Sequence, residues 1–415
     1  MLSPGSKNWI EMFYSLIDER QMSAVLKREK GISAEALIHA RLFQSGIVFG
    51  YPSQFVFLKD TPSTSWTLDE KIKVLLFECF LYIYLIEKKS FDREDFENSL
   101  LNFYADYKEH YSLDVLQLFV KETTSNKVEK ILTKRTHKKK SWANMFWVNY
   151  LSNGLVFLDV IAYRQFLNAN GCLQQNYNAY VDAVIKTVVL ASIADGSVEQ
   201  EEKKIYDVLI SSASITAQEK QKYLQMLSEQ SIQLSSIDLH KDDTLFNYYL
   251  LDVATLTVCS DLTTLTTEKK FLKNLASYLG ISQQHLESTL IIIENYVIEN
   301  NKQVSFLGEN NAYERLYLNF SRRWIKVLGR NKDKLVEELK NNKELVELVN
   351  KSMIKELTPE EKEKVKTQFK DLVKSMPAVA IFMLPGGALL LPLITRIVPD
   401  LLPSSFQSNQ IKKEK

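Results

Sequence analysis

Residues 376–394 constrain this chain more than any other stretch, because none of their 19 side chains is charged or polar. As a helix the stretch would be about 28 Å long, which is close to the hydrocarbon thickness of a bilayer. A helix in a soluble core normally keeps one polar stripe, and this stretch has none. The sequence therefore predicts that residues 376–394 enter a membrane.

Proline and glycine interrupt the apolar stretch and limit the forms that it can take. Pro385, Gly386 and Gly387 lie in its middle, and Pro392 follows. Proline removes a backbone donor and kinks a helix, and in lipid the freed carbonyl groups need other partners. Three forms remain open: a kinked span supported by neighbouring helices, a re-entrant hairpin that turns at residues 385–387, and two short helices buried in a soluble bundle.

The spacing of proline and leucine around this stretch resembles the membrane segment of the LETM family, the leucine-zipper/EF-hand transmembrane proteins. One proline lies at the start of the stretch, another in its middle and a Leu-Leu-Pro near its end, and Pro-x-x-Leu-Pro-Ser-x-Phe ends the segment. The resemblance implies membrane residence and, by family analogy, cation/proton exchange (ion transport) or ribosome binding; some bacterial relatives are called biofilm-associated. The residues that carry it are Pro377, Leu384, Pro385, Gly386, Gly387, Leu391, Pro392, Pro399, Pro403 and Phe406.

Turn-forming residues are scarce, since the 415-residue chain contains only 12 glycines and 9 prolines. Such a chain is not built mostly of short strands, so we predict an all-α fold. The formal net charge of +1 argues against a DNA-binding protein. Three widely spaced cysteines, Cys79, Cys172 and Cys259, indicate a reducing compartment. We therefore expect most of the chain in the cytoplasm, with the apolar segment in a bacterial inner membrane as the resemblance implies.

Changes in composition divide the chain into five predicted segments. They are an N-terminal helical domain at 1–165, a second helical domain at 170–305, a charged helical region at 310–375, the membrane segment at 376–406 and a polar tail at 407–415.

Three local patterns carry predictions of their own. Residues 72–86 are apolar on nearly all sides and predict a buried core helix rather than a membrane span. The basic run 134–140 continues into the aromatic residues of 142–150; a solvated connection before a core helix is the favoured interpretation, and docking on anionic lipid or RNA is the alternative. Thr358, Pro359 and the glutamates that follow predict the start of a helix capped by the threonine.

The second domain contains an internal repeat with an offset of 66 residues. The segment from Asp195 to Glu202 matches the segment from Asp261 to Glu268, and apolar positions stay in register beyond it. The pattern of each copy predicts an apolar helix, a short polar link and a second helix, which suggests a duplicated helix–turn–helix. The Asp195-Gly196 turn resembles the tellurite-resistance TerB-like family, an all-helical bundle with a duplicated core and an acidic cluster able to hold a metal.

The acidic residues of this repeat have two interpretations. Carboxylates are the ligands that Ca²⁺ and Mg²⁺ prefer, so the two halves would form a divalent-cation site if they packed face to face. Acidic residues in the first turn of a helix also complement its dipole without any metal. The candidate ligands are Asp195, Glu199, Glu202, Asp261 and Glu268.

No phosphate-binding, dinucleotide-binding or zinc-protease motif occurs, and the five histidines lie far apart along the chain. We therefore predict a protein that is not an enzyme: a membrane-anchored interaction or scaffold protein. Its expected partners are membrane lipid and a protein or second copy, with a ribosome implied by family analogy. The alternatives are a subunit of a cation/proton exchanger, a ribosome-associated membrane protein and a soluble helical scaffold.

Overall fold

Every regular element that the computed structural model describes is a helix, which confirms the predicted all-α class. The described residues are 2–17, 22–23, 25, 33–50, 52–58, 66–106, 122–136, 153–169, 176–196, 198, 200–213, 215–229, 232–238, 243–259, 266–299, 341–354, 357–361, 364–365 and 367–368. The α-helices are α1 (Trp9–Leu16), α2 (Ala34–Ser45), α3 (Leu68–Lys88), α4 (Arg93–Asp106), α5 (Thr124–Thr136), α6 (Phe157–Ala169), α7 (Asn176–Ser192), α8 (Gln200–Ser212), α9 (Ala217–Glu229), α10 (Thr244–Val258), α11 (Thr266–Tyr278), α12 (Gln283–Glu299) and α13 (Lys343–Ile354).

Helix α3 is the buried core helix that the apolar run predicts. Its N-terminus is closed by a capping box, in which Thr67 and Glu70 each bond to the other's backbone N–H. From Ile72 to Leu85 every side chain is buried, on all faces of the helix. Helices α5 and α6 pack against it. The absence of a polar face thus follows from a position inside the bundle.

Glu78 lies fully buried in the middle of α3, and its burial is balanced by backbone donors. The Glu78 carboxylate accepts the backbone N–H groups of Val56, Phe57 and Leu58 at 2.5–3.0 Å. Burial raises the pKa of Glu78 to about 7, although these three donors act in the opposite direction. The carboxylate therefore fixes residues 56–58, which have no helical or strand partners for these N–H groups.

A buried ion pair joins α5 to α6. The Arg135 guanidinium donates from Nε to Asp159 at 2.7 Å and from Nη2 at 3.0 Å, and Tyr104 Oη donates to the same carboxylate. The side chains of Arg135 and Asp159 are 9% and 0% exposed. Arg135 belongs to the basic run 134–140, and the structure gives it a partner inside the protein. Residues 137–150 of that basic and aromatic stretch lie outside the described residues.

The helix bounds follow the 66-residue offset of the repeat. Helix α8 begins at 200 and ends at 212, and α11 begins at 266 and ends at 278. Helix α9 begins at 217 and α12 at 283, so the third helix of each copy keeps the same offset. The first helices of the two copies, α7 and α10, pack together more extensively than any other described pair. Each copy thus supplies one helix to a shared interior.

The chain divides into two compact units, Met1–Leu286 and Glu287–Lys415. The boundary predicted near residues 165–170 lies inside the first unit, where α6 packs on α7 and α2 packs on α10. The five predicted segments therefore stay a prediction drawn from composition.

Candidate functional site

The region ahead of the apolar stretch begins with the predicted helix start. Thr358 Oγ1 accepts the Glu361 N–H at 3.3 Å, and Glu361 accepts the Thr358 N–H at 3.1 Å. Residues 359–361 are helical, as are 364–365 and 367–368. Leu357 and Val365 are buried within this unit. The cap prediction at Thr358 is confirmed, with Pro359 as the first helical residue.

Polar contacts hold α13 beside these helical residues in the opposite direction. Lys351, near the end of α13, pairs with Glu361, whereas Glu344, at its start, pairs with Lys364 at 3.1 Å and accepts a bond from Gln368. The Lys364 and Glu344 side chains are 62% and 54% exposed, so solvent screens their attraction. This arrangement orients the helical residues that lead towards the apolar stretch.

The predicted membrane segment itself lies outside the residues that the structure describes. Within the described residues, no helix combines the length and the apolar character needed to cross a membrane. Membrane entry by residues 376–394 therefore stays a prediction. The predicted membrane residues to which this applies are Pro377, Leu384, Pro385, Gly386, Gly387, Leu391, Pro392, Pro399, Pro403 and Phe406.

The candidate metal ligands are described only in part. Asp195 follows α7 in a turn where Gly196 has a φ of +93°, and Glu268 lies in the first turn of α11 with 2% exposure. Glu202 lies on α8 but its side chain is not among those described, and Glu199 and Asp261 lie outside the described residues. No group of three His, Cys, Asp or Glu side chains in the described part is arranged to hold a metal ion. The divalent-cation site stays a prediction.

A buried polar cluster brings together two histidines that are far apart in sequence. His39 on α2 and Asp252 on α10 contact each other through Nε2 and Oδ2 at 2.6 Å, and both are almost wholly buried. The His285 ring, at the start of α12, lies 5.4 Å from the His39 ring. Tyr248 of α10 stacks on His285 with ring centroids 3.9 Å apart. We call His39, Asp252 and His285 the histidine cluster.

Burial dominates the electrostatics of the histidine cluster. It raises the pKa of Asp252, against the opposing effect of the adjacent His39. It also lowers the pKa of His285 to about 3, and the charge of His39 acts in the same direction. Three buried atoms of the cluster have no hydrogen-bond partner: His39 Nδ1, Asp252 Oδ1 and His285 Nε2. His39 Nε2 and Asp252 Oδ2 thus share a hydrogen bond, whereas His285 Nε2 has no acceptor within hydrogen-bond distance.

Sequence reasoning missed this cluster because its members are separated by 213 and 33 positions along the chain. One signal was present: Asp252 lies in a helix whose described side chains are otherwise almost all apolar or hydroxyl-bearing and buried. A buried carboxylate requires a donor or a cation, and a histidine on another helix is a partner of that kind.

Comparison with known proteins relates the C-terminal residues to one family. Residues 357–415 match the family model described as "LETM1-like, RBD". No curated protein and no solved structure matches the chain. The match supports the resemblance to LETM proteins over the stretch that contains both the capped helix start and the apolar segment, which is less than half of the chain.

Proposed function

We propose that this LETM-related chain is a membrane-anchored interaction protein without enzymatic activity, held at a bacterial inner membrane by residues 376–406. Its helical body, on the cytoplasmic side, would present the surfaces that bind partners. One observation carries the proposal. The family match over residues 357–415 coincides with the only stretch of 19 residues that lacks a charged or polar side chain.

The free energy of transfer favours the membrane for such a stretch. Burying apolar side chains yields about 25 cal/mol per Å² removed from water, and no charge in residues 376–394 opposes it. Basic residues stand on both sides, including Lys374 before the stretch and Arg396 after it. They suit contact with anionic headgroups at either interface. A kinked span and a re-entrant hairpin are both compatible with this proposal.

Fractionation of the full chain tests the anchor. We expect full-length protein in the membrane fraction after alkaline carbonate washing, and a chain that ends at residue 375 in the soluble fraction. A chain that ends at residue 406 lacks only the polar tail and serves as the control, since it should remain with the membrane. Full-length protein that stays monodisperse and soluble without detergent would support a soluble scaffold and refute the anchor.

Ribosome association is a second proposal, because the matching family model carries the description RBD and the LETM resemblance implies ribosome docking. We expect detergent-solubilised full-length protein to sediment with ribosomes in a sucrose gradient, and the chain that ends at residue 356 to remain at the top. Full-length protein that stays at the top at low and moderate salt would contradict ribosome association while leaving the anchor intact.

Cation/proton exchange is less well supported than either proposal. Proton-coupled transport needs an ionisable group at membrane depth, and residues 376–394 contain none. A single short segment also cannot enclose a pathway, so several copies would have to assemble. We therefore expect only background ion flux from proteoliposomes that contain the purified protein.

We further propose that residues 170–305 form a TerB-like module. The equal offset between α8 and α11 supports a duplicated helical arrangement of the kind that this resemblance implies. Divalent-cation binding by its acidic residues would give the anchored protein a response to Ca²⁺ or Mg²⁺.

A further inference from the structure

The histidine cluster joins three helices at one point, where His39 and Asp252 are buried and His285 is half-buried. His39 comes from α2, Asp252 from the middle of α10, and His285 from the first turn of α12, where the His285 N–H is bonded to the capping Ser282 side chain. Tyr248 stacks against His285 and also lies 5.1 Å from the His39 ring. The contact of α12 with α2 and α10 at this point is therefore made by aromatic and titratable side chains.

A second proton has no favourable position in the cluster. His39 Nε2 and Asp252 Oδ2 already share a hydrogen bond at 2.6 Å. A positively charged His285 carries a proton on both ring nitrogens, and its buried Nε2–H would then face no acceptor, because that atom has no partner. It would also place a positive charge 5.4 Å from the His39 ring. Leaving a buried donor unsatisfied and opposing two like charges both favour exposure of His285 to water.

The carboxylate that α2 contributes near this point already has a charged partner. Arg164 of α6 engages Glu35, the nearest carboxylate on α2, at 2.6 Å. The hydroxyl-bearing Tyr248 offers its ring face to His285 and not an acceptor oxygen. Besides His39 and Asp252, the titratable groups around this point include Glu35 of α2, Tyr248 and Tyr249 of α10, and Glu287 of α12, two residues after His285.

We propose that the histidine cluster is an acid-sensitive latch, which holds the first turn of α12 against α2 and α10 at neutral pH and releases it when His285 takes up a proton. The released state exposes His285, whose ordinary pKa is 6.5. In the latched state burial lowers the pKa of His285 to about 3. Opening therefore becomes more favourable as the pH falls below about 6.5, and one proton is taken up in each opening.

Hydrogen exchange of the full chain in detergent tests the latch. With exchange rates corrected for the intrinsic effect of pH, opening of peptides from residues 283–293 should rise about tenfold between pH 7.5 and pH 5.5. Peptides from α3 and α4 in the same molecule are the internal control and should keep their protection. An equal loss of protection in α3 and α4, or no loss at residues 283–293, would overturn the proposal.

The variant His285→Phe separates titration from packing. Phenylalanine keeps a ring against Tyr248 but cannot bind a proton, so protection at residues 283–293 should become independent of pH. A wild-type pH dependence that survives in His285→Phe would refute the latch. If this variant does not fold, titration of the carbon-13-labelled histidines in the wild-type chain decides instead. One of the five histidines should remain neutral at pH 6, and ordinary midpoints for all five would refute the latch.

Discussion

The buried ion pair between α5 and α6 gives a test of coupled charges. Replacing one partner of the pair should destabilise the folded protein more than replacing both partners. Arg135→Met leaves the Asp159 carboxylate wholly buried without its guanidinium, although the Tyr104 hydroxyl still donates to it. Asp159→Asn leaves a guanidinium that is 9% exposed facing an amide. A buried charge that loses its charged partner costs about 3–5 kcal/mol of stability, so each single variant should lose about that much.

The double variant Arg135→Met/Asp159→Asn contains neither charge, and the amide oxygen at position 159 can still accept the Tyr104 hydroxyl. What remains is an amide beside a methionine with no buried charge, and we expect a cost of about 1–3 kcal/mol for this imperfect polar pairing. We therefore expect the double variant to be more stable than either single variant by roughly 2 kcal/mol.

Urea titration of the full chain in mild detergent, read by pulse proteolysis of the first unit, measures these four free energies of unfolding. Lys130→Met is the control on the same helix, because Lys130 and its partner Glu122 are 44% and 29% exposed. That variant should stay within about 1 kcal/mol of wild type. If the stability lost in the double variant equals the sum of the losses in the two single variants, Arg135 and Asp159 are not coupled and the reasoning is refuted.

Three further predictions concern other parts of the molecule. Burial raises the pKa of Glu78 to about 7 from 4.5, so the folded chain keeps a proton that the unfolded chain releases. As the pH rises from 4.5 to 8, the free energy of unfolding of wild type should fall by roughly 3 kcal/mol relative to that of Glu78→Gln, as measured by urea titration at each pH. Equal pH slopes of the two proteins would contradict this prediction. Gly50→Ala should lower the melting temperature more than Gly196→Ala does. Both glycines have a positive φ, but only a Cβ at Gly50 would collide with the backbone oxygen of Asn153. Equal melting temperatures of the two variants would count against this contact. Calorimetric titration with CaCl₂ and MgCl₂ should give a binding isotherm for wild type that Asp195→Asn weakens, and no heat from wild type would reject the divalent-cation site.

Local patterns in the sequence predicted the features that depend on neighbouring residues. The threonine and glutamate at 358 and 361 predicted a capped helix start, because a capping box needs only residues three positions apart. The apolar run at 72–86 predicted a core helix, and the repeat predicted equal offsets for α8 and α11. In each case the feature is determined by residues within one helix, or by the duplication of a group of helices.

Features that depend on distant partners were not predictable in this way. Glu78 was visible as a charge inside an apolar run, but nothing local indicated that its partners are the backbone N–H groups of residues 56–58. Arg135 was assigned to a solvated connection, with a docking surface as the alternative, because the sequence does not show that Asp159 lies across from it. The histidine cluster has the same origin, since only the packing of α2, α10 and α12 brings its members together.

The partition of residues 376–394 between membrane and water tests the central claim most directly. Leu384→Arg/Leu391→Arg places two charges within or beside the bilayer centre, at about 2.5–3.5 kcal/mol each, which corresponds to roughly four orders of magnitude in partition. Ser408→Arg adds a charge to the polar tail as the matched control. Flotation of the purified proteins with liposomes should bring wild type and Ser408→Arg to the top of the gradient and leave the double arginine variant at the bottom. Flotation of all three to the same extent, or of none, would contradict insertion of this segment.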